Sequence, residues 1–294
     1  MIDLLQTVLS GIVTGLVYGL IGLSFVVIYR AARIVNVAQG GLIAVGAFLV
    51  WTFATGFGLP LPLAVLLAVA ASAGFGLVLE RIVFRPLVGQ PAFSMIMATI
   101  ALLVLLQGLV QVLWGAQTRP FPAVLPAGEV ILGPFGVNRA LLIGAAGTVL
   151  LAAALDWFFL HTREGLRLAA VAEDHFTALS LGISVRRAAT IGWLLGGALA
   201  CLAAIVLFSG RLLGLSAAEI GFVALPVAML GGLESIRGAP IAGAMVGVGE
   251  SLSAAYLDPL TNGAASRIFP SALIVLVLLI RPQGLFGWRT IERI

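Results

Sequence analysis

The strongest constraint on this chain is the recurrence, from Leu4 to Ile280, of apolar runs that are long, nearly free of charge and continuous. Crossing ~30 Å of hydrocarbon takes ~20 helical residues, and runs of that order fill most of the 294-residue sequence. Lipid offers no partner to backbone N–H and C=O groups, so only helices and closed barrels span it. A barrel strand alternates apolar and polar residues over about ten positions. These runs do not alternate, so helices are the expectation. Only 10% of the residues are charged and 61% are hydrophobic, where an ordinary soluble domain is about a quarter charged. A water-soluble globule is excluded. The expected fold class is all-α, a polytopic membrane protein in which residues 1–294 form one transmembrane domain.

Reading the runs between punctuating Arg, Pro and Gly places nine segments, at 5–28, 39–56, 60–80, 93–115, 140–160, 188–208, 218–234, 240–256 and 268–281, hence about eight or nine transmembrane helices. The second, seventh and eighth are short and interrupted by glycine, which suits half-helices or re-entrant pieces. The 36 glycines fit close packing through small residues, because lipid supplies no hydrophobic drive between helices. Segments one to four and six to nine are offset by an odd number, so a repeat relating them would be inverted in the membrane.

All 16 basic residues are Arg. With the 161–187 connection placed in the cytoplasm, strict alternation puts Arg30, Arg33, Arg81, Arg85, Arg163, Arg167, Arg186, Arg187, Arg237, Arg281, Arg289 and Arg293 inside and leaves Arg119, Arg139, Arg211 and Arg267 outside. This is the bias the positive-inside rule requires; the N-terminus is then outside and the C-terminus inside. Arginines scattered at run ends form no patch for nucleic acid. Asp3 and the lack of a basic leader make the first run an expected retained helix rather than a cleaved signal. The long outer connection, residues 116–139, is rich in Pro and Gly and reads as turns and extended pieces, either a plain loop or a surface for an extracytoplasmic partner.

Chemistry-bearing residues are few. Cys201, the single cysteine, lies within a run, and His161 and His175 belong to no His/Asp/Glu cluster at ligand spacing, so no disulfide or metal site is expected. The glycine stretches lack the Gly-Lys-Ser/Thr ending of a nucleotide loop. Polar residues inside spans are functional candidates by default. Gln107 and Gln111, one turn apart, either line a path or bond across helices. Glu250 either pairs to fix packing or borders a pathway. Glu80 and Asp156, near inner ends, are expected to pair with nearby Arg. Asn36 and Gln39 sit at a polar break where a helix restarts, a place where backbone and amide groups face a cavity.

The densest charge lies in residues 170–187. Leu168, Val171, His175 or Phe176, and Leu179 recur at three to four residues, with Glu173, Asp174 and Thr177 on other faces. This spacing predicts a short amphipathic helix at a membrane surface or against a partner, stopped by Gly182.

"GLRLAAVAEDHFTALSLGI" (165–183) resembles the cytoplasmic loop by which permeases of ATP-binding-cassette importers dock into a groove on the ATPase. "YGLIGLSFVVIYR" (18–30), "IVNVAQGGLIAVGAF" (34–48), "GGLESIRGAPIAG" (231–243) and "RPQGLFG" (281–287) resemble, in order, segments of the branched-chain amino-acid permease family. The resemblance runs from the first helix to the C-terminus. It implies the permease bundle of type II importers in a bacterial cytoplasmic (inner) membrane. It also implies ATPase coupling through Arg167, Glu173, Asp174, Ala178, Leu181 and Gly182, and a translocation path past Asn36 and Gln39, to which Gln107, Gln111 and Glu250 are added as intramembrane polar residues.

The partners implied are a second permease chain, commonly a different one, two ATP-binding subunits that carry ATP and Mg, and an extracytoplasmic substrate-binding protein. This chain itself then holds no cofactor and catalyses no reaction. Members of the family carry branched-chain and other amino acids, amides, urea and some aromatic acids. The sequence departs from the family pattern at Val37, Gln39, Gly41, Ala169, Glu234 and Arg237, positions that bear on substrate. A different mechanism, an ion-coupled transporter acting alone, requires intramembrane carboxylates, for which Glu250 is the candidate.

Overall fold

The computed structural model describes residues 2–87, 89–173, 175–281 and 283–287, without the side chains of Ala92, Leu132, His175 and Phe176. The apolar runs are helices: α1 (Ile2–Ala32), α2 (Gln39–Trp51), α3 (Leu61–Leu79), α4 (Ala92–Trp114), α5 (Arg139–His161), α8 (Val185–Phe208), α9 (Ile220–Gly231), α10 (Gly238–Tyr256) and α12 (Ala265–Ile280). The charged interval supplies α6 (Arg163–Glu173) and α7 (His175–Ser180), and α11 (Asp258–Thr261) is one turn. The described residues also form short strands β1 (Arg119–Pro120), β2 (Glu129–Leu132), β3 (Phe135–Asn138) and β4 (Leu212–Leu213).

Among the described residues, six helical stretches are long and apolar enough to cross a membrane: Ile2–Ala32, Gln39–Gly56, Leu61–Leu87, Phe93–Trp114, Arg139–His161 and Val185–Phe208. The second reaches that length because a π-turn, Thr52–Gly56, continues α2. Leu215–Gly231 and Ala265–Ile280 are shorter, each with an internal proline, Pro226 and Pro270. The expected seventh segment is therefore a 3-10 turn (Leu215–Glu219) leading into twelve residues of α-helix.

The chain forms two compact units that interleave along the sequence, residues 27–128 with 157–222, and residues 1–26 with 129–156 and 223–294. Neither unit coincides with a half of the expected inverted repeat.

In the first of these, α3 packs most extensively against α8, through small residues. A Cβ on Gly76 would strike the Trp193 carbonyl and one on Gly197 the Ser72 carbonyl. Ser72 Oγ donates to the Gly197 carbonyl at 2.8 Å. One end of this unit gathers the last turns of α2, α4 and α8. Trp114 Nε1 donates to Thr52 Oγ1 at 2.7 Å, Arg119 lies 4.4 Å over the Trp51 ring, and β1 pairs antiparallel with β4. The other end gathers Arg30, stacked 4.3 Å over Phe159, Arg33, and Arg85, which clamps Glu80 at 2.9 and 3.1 Å. Arg119 and Arg211 thus share an end, as the alternation of spans requires, and Arg30, Arg33, Arg85 and Arg187 share the opposite one.

In the second unit α1 and α10 meet along a glycine ladder. Gly11, Gly15 and Gly19, one turn apart, face Gly247, Gly243 and Pro240; a Cβ on Gly11 would lie 2.7 Å from Val248 Cα and one on Gly19 2.8 Å from Pro240 Cα. This is the small-xxx-small packing that lets backbones touch where lipid provides no hydrophobic drive. β2 and β3 form a hairpin whose turn opens at Gly133, φ +64°, a left-handed position that glycine fills without strain. Gln6 Nε2 donates to the Gly136 carbonyl at 2.6 Å, so the start of α1 and the hairpin lie at one end. At the other end residues 283–287 fold onto the end of α9, where Leu285 N–H donates to the Leu230 carbonyl at 2.8 Å.

Candidate functional site

The charged interval is built as a rigid extension of α5 and α8. A Cβ on Gly165 would lie 2.6 Å from Phe159 Cα, so glycine lets the first turn of α6 touch the last turns of α5. That contact sets the rotation of α6: Leu168, Val171 and Ala172 are buried with Gly165, and Glu173 is exposed. Asp174, between α6 and α7, lies outside the described residues.

In α7 Ala178 is buried, whereas Leu179 and Leu181 are 56% and 72% exposed. Leu179, expected on the buried stripe, instead faces outward, because Ala178 takes the inward position. Gly182 ends α7 at φ +75°. Its N–H donates to the Leu179 carbonyl at 3.0 Å and the Ile183 N–H to the Ala178 carbonyl at 2.9 Å. These are the paired bonds of a Schellman cap. Ser184 Oγ then caps α8 by accepting from Arg187 N–H at 3.3 Å.

A cleft of about 370 Å³ lies between α6, this turn and α8, lined by Glu164, Arg167, Leu168, Gly182, Ser184 and Arg187 among others. Glu164 bridges Arg167 at 2.7 Å and Arg187 at 3.2 Å. These side chains are 31–65% exposed, so the pairs add little stability. They hold Arg167, one of the expected coupling residues, against the start of α8.

Asn36 and Gln39 are buried, 1% and 0% exposed, and bonded to each other: Asn36 Nδ2 donates to Gln39 Oε1 at 2.9 Å. Gln39 Nε2 donates to the Gly196 carbonyl of α8 at 3.3 Å. Asn36 Oδ1 is buried and makes no hydrogen bond among the described residues. Close packing surrounds the pair, since a Cβ on Gly40 would strike the Ala218 carbonyl. The amides therefore join the α1–α2 break to α8.

The other expected path residues separate. Gln107 is half-buried and Gln111 exposed, and neither side chain is hydrogen-bonded among the described residues. Glu250 lies one turn beyond the α1–α10 ladder, where Tyr18 Oη donates to its Oε1 at a long 3.4 Å; Oε2 is buried with no partner among the described residues. Glu80 pairs with Arg85, and Thr190 Oγ1 joins both at 3.3 Å. Asp156 pairs with Arg237 at 2.6 Å, as expected of acids near span ends.

Sequence reasoning missed Arg33. It closes α1 in the left-handed region, φ +55°, its N–H bonding to the Tyr29 carbonyl at 2.7 Å. Its Nη2 donates to the Glu173 carbonyl at 3.2 Å. No local pattern announces a contact between residues 140 positions apart. The glycine ladder was legible in part, as the four-residue spacing of Gly11, Gly15 and Gly19 and of Gly243 and Gly247.

Known proteins place this arrangement in a family. Residues 7–278 match the family described as branched-chain amino acid transport system / permease component. The high-affinity branched-chain amino acid transport system permease protein BraD of Pseudomonas aeruginosa is 30% identical, over 99% of this chain and 98% of BraD. LivH of Escherichia coli K12, with the same description, is 29% identical over 99% and 97%. A probable branched-chain amino acid transport permease, LivH of Methanocaldococcus jannaschii, is 27% identical over 94% and 90%. A bundle of apolar helices matched along its whole length in this way is a multi-pass membrane permease, and the chain belongs to the permease-component family of branched-chain amino acid transport systems.

Proposed function

We propose that this chain is the permease subunit of an ATP-driven importer for a branched-chain or other hydrophobic amino acid, or a related amide or carboxylate. An extracytoplasmic binding protein delivers the solute. It crosses between this chain and a second permease chain, a different protein. Two separate ATP-binding subunits, which carry ATP and Mg, supply the work. The N-terminus lies outside and the C-terminus inside, a reading supported by the twelve arginines on the inner side of the alternation.

The observation that carries the proposal is the α6–α7 element. It stands at the arginine-rich end of its unit, closed by a Gly182 cap and seated on α5 through Gly165, and it presents Leu179 and Leu181 to the outside. Exposed apolar side chains on a rigid polar element are what a docking partner covers. Glu173, also exposed, adds charge to the same element. Asn36 and Gln39 hold the start of α2 to α8 on the path, and Gln111, exposed on α4, faces the second permease chain. Glu250, whose Oε2 is buried with no hydrogen-bond partner among the described residues, borders the path.

The test is uptake of radiolabelled leucine by proteoliposomes holding the chain alone, or with its ATP-binding and solute-binding partners. The expected result is uptake that requires ATP and all partners. Uptake by the lone chain on an ion gradient, with no gain from ATP, refutes the proposal. Glu173→Arg is expected to release the ATP-binding subunit while the permease still inserts.

A further inference from the structure

We propose that Arg33 is the positioning residue that carries motion of the α6–α7 element to the Asn36–Gln39 amide pair and so to α8. This rests on the reading of α6–α7 as the ATPase contact. Three observations converge on the six-residue break between α1 and α2.

First, Arg33 reaches across to the last carbonyl of α6, Glu173, at 3.2 Å, so displacement of α6 pulls on the start of the break. Second, the break ends in a buried polar latch, Asn36 to Gln39 and Gln39 to the Gly196 carbonyl, so its other end is fixed to the middle of α8. Third, this arrangement is costly in two places. Arg33 occupies a left-handed backbone region at φ +55°, disfavoured for a side chain with a Cβ. Asn36 Oδ1 is buried without a hydrogen bond among the described residues. A segment that holds backbone strain at one end and an unsatisfied acceptor at the other has something to gain from a second arrangement, the property expected of a switching element.

The remaining contacts favour transmission over slack. Gly192 of α8 lies so close to α1 that a Cβ there would strike Ala31, and Arg30 is stacked on Phe159. The ends of α1, α5 and α8 are thus packed together, and within that cluster the N–H groups of residues 34–38 make no backbone–backbone hydrogen bond among the described residues.

The experiment compares wild type, Arg33→Gly and Arg33→Asn in the full transporter. Both replacements accept a left-handed backbone and remove the guanidinium, so the fold is kept. The readouts are co-purification of the ATP-binding subunit and radiolabelled leucine taken up per ATP hydrolysed. Expected are wild-type co-purification and continued ATP hydrolysis, with uptake per ATP reduced tenfold or more in both variants. Uptake per ATP within twofold of wild type overturns the relay. So does loss of co-purification in the variants, which would make Arg33 part of the docking surface itself. A wild-type chain that retains no ATP-binding subunit overturns the underlying reading of α6–α7. If Arg33→Gly fails to fold, Arg33→Asn decides by the same ratio.

Discussion

Gly182→Ala isolates backbone conformation from every other variable at the proposed coupling element. Gly182 sits at φ +75°, and a Cβ built there meets nothing within 4 Å. No side-chain clash arises, so the whole effect comes from holding an L-residue in the left-handed region, roughly 1–2 kcal/mol. At 1.4 kcal/mol per tenfold, the turn that closes α7 should open about 5- to 30-fold more often. The bonds at stake are Gly182 N–H to Leu179 and Ile183 N–H to Ala178. Hydrogen exchange of a 178–184 peptide, followed by mass spectrometry in nanodiscs, should accelerate by that factor. ATP-dependent leucine uptake should fall with it. Gly182→Asn, which tolerates the same conformation, should recover most of the loss. Equal exchange in all three proteins refutes the argument, and an Asn variant as damaged as the Ala variant shows that backbone conformation is not what matters.

Gly243→Ala should destabilise the α1–α10 crossing by about 1–3 kcal/mol, the usual cost of overpacking, because its Cβ would lie 2.7 Å from Gly19 N and 2.9 Å from Gly19 Cα; thermal unfolding in detergent measures it. Arg85→Ala should cost about 3 kcal/mol, since it strips the bidentate partner from a Glu80 side chain only 2% exposed. A double-mutant cycle with Glu80→Gln should return much of that loss. Asp258 accepts hydrogen bonds from Ser266 Oγ at 2.7 Å and Ser266 N–H at 2.9 Å, which hold its carboxyl below the ordinary value. The folded value being the lower one, its contribution is present above the unfolded pKa of ~3.9 and is lost as pH falls through the folded value. The melting temperatures of wild type and Asp258→Asn should therefore differ at pH 6 and converge once the pH has fallen through the lowered folded value.

The docking element and the amide latch make different demands on the chain. To serve in the proposed coupling, α6 and α7 must be stiff enough to transmit force, and each stiffening device is local: the Gly165 contact with the α5 end, the Gly182 cap and the Ser184 cap. The latch must be able to let go, and its bonds are few, two amide contacts at 2.9 and 3.3 Å. A bistable element between two rigid ones is how small displacements at one site become discrete rearrangements at another.

Much of this was legible in the residues alone, wherever the governing physics is local. Continuous apolar runs dictate helices because lipid leaves the backbone no other partner. The grouping of arginines at alternate run ends anticipates which ends share a face, as Arg119 and Arg211 do through β1 and β4. The stop at Gly182 follows from the ease with which glycine enters the left-handed region.

Tertiary structure alone decided what depends on partners distant in sequence. The spacing of Gly11, Gly15 and Gly19 shows a smooth helix face, but only packing selects Gly243 and Gly247 as its complement. Periodicity assigned Leu179 to the buried side, and the seating of α6 on Phe159 together with an inward Ala178 turned it out. No local pattern shows that Asn36 and Gln39 are also tied to α8, through a bond from Gln39 to Gly196, 157 residues away. Nothing local to Arg33 predicts a left-handed backbone or a reach to Glu173. Local sequence governs helix and cap because those energies are summed over neighbouring residues. Contacts across 140 or more positions depend on which surfaces fit, and that is settled only when the helices meet.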